Sequence, residues 1–169
     1  MKHTNRVAGL VLAAVFVASA LVLFAQQPAI LGPDDLGKLV PTNFYFGGQL
    51  APTQMRNAVG VRFDPQRHFI AALVDTSGYA SSIRSKFEGF LICDQPVMIG
   101  GTEVKAGAYG FGFAQDLKLN ILDVGGMTLH SIAAARDDQL KSPRPLAIIQ
   151  SGKDLRLYRE RSYVVIAAK

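Results

Sequence analysis

The chain holds 169 residues, with 18 Lys and Arg against 13 Asp and Glu and a formal net charge of +5. That length suits one domain with a real hydrophobic core, and so small a basic excess excludes the dense Lys/Arg stripe of a nucleic-acid binder. A lone cysteine, Cys93, excludes an internal disulfide.

At the N-terminus, Lys2, His3 and Arg6 form a short basic start, and Val7 to Ala25 then run 19 residues without a charge. A basic start, an apolar stretch and a small-residue exit are the three parts of a secretory signal. Ala18-Ser19-Ala20 fits the A-x-A cleavage rule, and a cut after Ala25 is the alternative. An uncleaved anchor is the competing reading, because about 20 apolar residues cross a bilayer as a helix. Residues 7–25 would then be the chain's only contact with the membrane. The cysteine of a lipoprotein signal is missing. Either way the chain is expected to be exported by a bacterial-type signal and to reside in the periplasm or outside the cell. The 144 residues after position 25 carry 16 basic and 13 acidic side chains.

Residues 26–41 read as an extended leader, punctuated by Pro28, Gly32, Pro33 and Pro41, with room for a short helix over Asp34–Leu39. Residues 42–169 read as a single β-rich domain. Short apolar runs and period-two alternation, separated by Gly, Pro, Asp or Asn, are the mark of strands. The runs are 43–46, 58–63, 68–75, 87–93, 96–99, 102–104, 108–113, 117–123, 128–134, 146–150, 155–159 and 163–167. Gly100-Gly101 accepts the positive φ angles of a primed hairpin turn, and Asp64–Arg67, Gln115-Asp116, Gly125-Gly126 and Arg159–Ser162 are further turns. One short helix is expected within Tyr79–Lys86. The fold class is therefore all-β, a single sandwich or barrel-like domain of short antiparallel strands.

Two of these strands are informative. In Ala108–Ala114 one face reads Ala108, Gly110, Gly112, Ala114, and the other reads Tyr109, Phe111, Phe113. Strand glycines mark a close approach to the backbone. The aromatic row is expected in the core, and the bare face is expected against a neighbouring element. A ligand lying at Gly110 and Gly112 is the alternative. The Phe87–Cys93 strand is apolar on both faces, as a central strand covered on both sides would be. Cys93 then reads as a small buried hydrophobe, and Glu88 as an outward residue at the start of the strand.

Chemistry-bearing motifs are sparse. H-x-H, HExxH, CxxC and G-x-S-x-G are all absent, so neither a metal nor a cofactor is expected. The most site-like segment is Asp75-Thr76-Ser77-Gly78-Tyr79, a hydroxyl-rich loop after an apolar strand. With His68 or His130 as base, Asp75 and Ser77 (or Ser82) would make a small secreted hydrolase. The same residue types are ordinary turn formers. Near the C-terminus, Arg156, Tyr158 and Arg159 interleave cations with aromatic rings, preceded by Arg136, Lys141 and Arg144. They are candidates for binding a glycan or an acidic surface. The competing reading is an edge hairpin whose charges discourage aggregation.

The segment from Gly101 to Phe111 resembles a strand–turn–strand element of exported bacterial β-domains, and the resemblance transfers no functional residues. The sequence thus points to a non-enzymatic binding or structural module of the cell envelope. Its expected partner is an envelope protein, a glycan or another surface ligand, and the hydrolase is the alternative.

Overall fold

A computed structural model describes residues 27–169. The expected signal or anchor at 1–25 lies outside the described residues.

Two antiparallel sheets make a sandwich with no closed barrel. The first sheet has the order β1 (Ala29–Ile30), β3 (Gln49–Asp64), β4 (Arg67–Val74), β5 (Gly89–Cys93), β8 (Gly107–Ala114), β9 (Lys118–Leu122), β10 (Thr128–Ala133), with β2 (Asn43–Phe46) paired to β3. The second runs β12 (Ala147–Ser151), β13 (Asp154–Arg159), β14 (Ser162–Ala168), β6 (Val97–Ile99), β7 (Thr102–Val104), with β11 (Ala135–Arg136) paired to β14. Two short helices, α1 (Pro33–Leu39) and α2 (Ser81–Arg84), complete the described residues.

Alternation places the core. On β4, Phe69, Ala71 and Leu73 face the second sheet, while Ile70, Ala72 and Val74 face the opposite side, and all six are buried. The main core lies between the sheets, where Leu91, Phe111 and Ile121 meet Ile99, Leu157 and Ile166. A second apolar layer covers the outer face of the first sheet, built from Phe44, Phe46, Tyr79, Phe87 and Phe90 with Val40 and Leu122. β5 is central and covered on both faces, as its sequence implies.

Within the extended leader, β1 pairs with Val61 and Arg62 of β3, the short helix forms over Pro33–Leu39, and Leu31 and Val40 are buried. Two sequence expectations need correction. β3 begins at Gln49, nine residues earlier than its apolar run, because the polar stretch 53–57 conceals it. Its register slips between Thr53 and Ala58, so residues 54–57 bulge from the sheet. The β2–β3 hairpin turns through Gly47 and Gly48, both with positive φ. That is the same paired-glycine signal as Gly100-Gly101, and it passed unread in the sequence. Finally, β13 is not an edge strand: it lies between β12 and β14.

Candidate functional site

The residues assembled from sequence as a catalytic group are held apart. His68 is the second residue of β4 and Asp75 follows its end, so seven residues of extended chain, about 23 Å, separate them. His130 lies on β10, four strands from β4 in the sheet order, or roughly 19 Å. His68 and Asp75 each have a local partner instead. The His68 backbone N–H donates to Asp94 Oδ1 at 2.7 Å, and His68 Nδ1 lies 2.9 Å from Asp94 Oδ2. Asp75 is exposed and accepts the Ser77 N–H at 2.9 Å, and that bond holds its carboxyl below the usual range. It is an Asx turn closing β4. Among the described residues no three of His, Cys, Asp and Glu gather into a metal-holding group. Cys93 is buried in the core, and burial, helped by the charge of Asp94, pushes its thiol up to about 12. A thiol so protonated is a packing group at neutral pH.

The bare face of β8 is covered by the chain itself at Gly110 and Gly112, while Ala108 is exposed. A Cβ at Gly110 would lie 2.4 Å from the Phe46 ring, and one at Gly112 would lie 2.3 Å from the Lys86 carbonyl oxygen. Neither glycine leaves space for a ligand. On the other face Phe111 is fully buried, with Tyr109 and Phe113 packed half-buried beside it.

Arg156, Tyr158 and Arg159 are engaged internally. Tyr158 is buried and donates its hydroxyl to Asp137 Oδ2 at 2.8 Å. The Arg156 guanidinium sits 4.4 Å over the Tyr163 ring and within 3.4 Å of the Tyr158 hydroxyl. Arg159 Nε donates to Glu88 Oε1 at 3.1 Å, tying the end of β13 to the start of β5. Glu88, expected to face outward, also accepts the Phe113 N–H at 2.8 Å through Oε2.

A further concavity lies where β3 adjoins β12. It is a groove of about 840 Å³, within the size range of small-molecule sites, about 300–1,000 Å³. Its walls are Ala58, Val59 and Gly60 of β3 and Ala147, Ile148 and Ile149 of β12. Leu31 and Leu36, from the leader, close one side. Gly60 makes that closure feasible, since a Cβ there would lie 2.8 Å from Leu31.

Three cations, Arg56, Lys141 and Arg144, also line the groove, and no Asp or Glu does. All three are exposed, and none takes part in an ion pair or a side-chain hydrogen bond among the described residues. Beyond Pro145 a smaller polar hollow, with Arg136, Arg159, Glu160 and Arg161, continues from Arg144. Sequence reasoning named Lys141 and Arg144 as part of a basic cluster but missed Arg56 and the apolar walls. No local pattern joins residues 56–60 to 144–149, which only the packing of the sheets brings together. Comparison with family models, with curated proteins and with solved structures found no match.

Proposed function

We propose that this chain is an exported, non-enzymatic module of the cell envelope that binds its partner in the groove between β3 and β12. The observation that carries the reading is the groove itself: apolar walls from two sheets, rimmed by three cations without counter-charges. Protein cations are ordinarily paired or solvated singly, and three converging on one apolar concavity without a carboxylate form a recognition surface for negative charge. The basic-apolar N-terminus supports an envelope location.

The test uses the full chain with a C-terminal tag, expressed in a bacterial host. Fractionation should place it outside the cytoplasm. The purified protein, incubated with envelope extract, should retain material that the Lys141→Glu/Arg144→Glu variant does not. Both positions are exposed, so the variant should melt like the parent. Cytoplasmic residence would overturn the export reading, and equal retention by parent and variant would overturn the groove.

A further inference from the structure

The distribution of charge along the groove, not merely its presence, selects a class of ligand. Ile30 pairs with Val61 and lines both the groove and the adjoining hollow formed by Gln150, Gly152 and Lys153. The Gly60 end of β3 therefore lies at the Ile149 end of β12. Arg56 precedes the β3 wall and Arg144 precedes the β12 wall, so these two cations lie at the other end, while Lys153 borders the hollow beyond Ile30. One end is thus a cationic mouth and the other an apolar trough floored by Leu31 and Ile149 and continued by the half-exposed Ile30.

We infer that the groove takes a single-chain anionic amphiphile, a long-chain carboxylate, with its head at Arg56, Lys141 and Arg144 and its chain along the trough. This rests on the groove being the binding site proposed above. An acyl chain matches the trough because it is narrow, unbranched and needs no hydrogen bond. A carboxylate matches the mouth because guanidinium and ammonium groups offer charge-assisted hydrogen bonds in number. A neutral glycan would find cations where it needs acceptors as well as donors, and a short acid would leave the trough empty.

The experiment titrates the purified full chain with octanoate, decanoate and dodecanoate, and with decanol as the uncharged control, following backbone amide shifts. Affinity should rise about 3- to 4-fold with each added CH₂, the increment of burying one methylene. Decanoate should bind about 10-fold more tightly than decanol, a gap in line with several partly exposed ion pairs. Lys141→Gln/Arg144→Gln should narrow that gap, and the perturbed amides should include Val59, Gly60 and Ile149. A lysophosphatidate of matching chain length separates a carboxylate from a phosphate head: tighter binding by the phosphate would overturn the carboxylate assignment. Absence of any chain-length dependence, or equal affinity for decanoate and decanol, would overturn the amphiphile. If envelope material is still lost from the charge-reversed variant in that case, the groove remains the site and only its ligand class is wrong. If that material is retained equally, the site itself fails.

Discussion

Gly112 is where a single missing side chain decides the packing. Its φ is not in the left-handed region, so any penalty for a larger residue is one of space. The obstacle is the backbone carbonyl of Lys86, which cannot swing aside as a side-chain tip would. In a free strand Gly→Ala gains about 0.5–1 kcal/mol. Here Gly112→Ala should instead cost about 1–3 kcal/mol, the usual penalty for overfilling a packed region, and Gly112→Val should cost more. A chemical-denaturation curve checks this, and a variant as stable as the parent would show that the segment before Phe87 moves freely. Gly110 differs in kind, since its obstacle is the Phe46 ring, itself stacked on Phe87 at 3.7 Å. The alternation of residues 108–114 was legible in the sequence and pointed to a close neighbour. Which neighbour was not, because Lys86 and Phe46 reach the strand from distant parts of the chain.

Among the elements, the contact between the end of β13 and the start of β5 rests on Glu88 and Arg159. Both side chains are about a quarter exposed, so the ion pair is weak, about 0–1 kcal/mol. Glu88 has a second duty, since it accepts the half-buried Phe113 N–H of β8. Removing that acceptor strands a backbone donor at about 1–3 kcal/mol. Glu88→Ala should therefore destabilise more than Arg159→Ala, and denaturation midpoints of the two variants test the order. Equal losses would mean that the ion pair, not the amide bond, carries the contact. In β13 itself Arg156 Nη1 donates to the Tyr158 hydroxyl and that hydroxyl donates to Asp137, while the buried Arg156 Nε has no hydrogen-bond partner among the described residues. Interleaved Arg and Tyr in sequence looked available to a ligand, and cross-strand register turned them inward.

For the whole molecule, chain path and core together bind the sheets into one unit. β6 and β7 belong to the second sheet, yet they lie in sequence between β5 and β8, which are neighbours in the first. The main core draws on both sheets, so neither sheet has a complete apolar cover alone. Unfolding should be a single cooperative transition. Far-UV circular dichroism, which follows all strands, and near-UV signals from the tyrosines should give the same midpoint. Distinct midpoints would mean that the sheets melt as separate units.

The sequence by itself determined the all-β class, most strand positions, the glycine turn at 100–101 and the inert, buried Cys93, because each follows from period, turn chemistry or polarity within a few residues. The early half of β3 escaped it, since a polar bulge carries no periodic signal. The strand pairing of Ala29–Ile30 escaped it too, since so short a strand gains its stability from its partner rather than from its own pattern. Tertiary structure decided everything that depends on distance across the fold. It set His130 on β10, four strands from His68 in the sheet order, and it laid β3 beside β12 so that Arg56 and Arg144 share a groove. Side chains separated by some ninety residues meet only when two sheets pack face to face, and the pairing order that brings them together is set by the joint burial of both apolar faces, not by any local pattern.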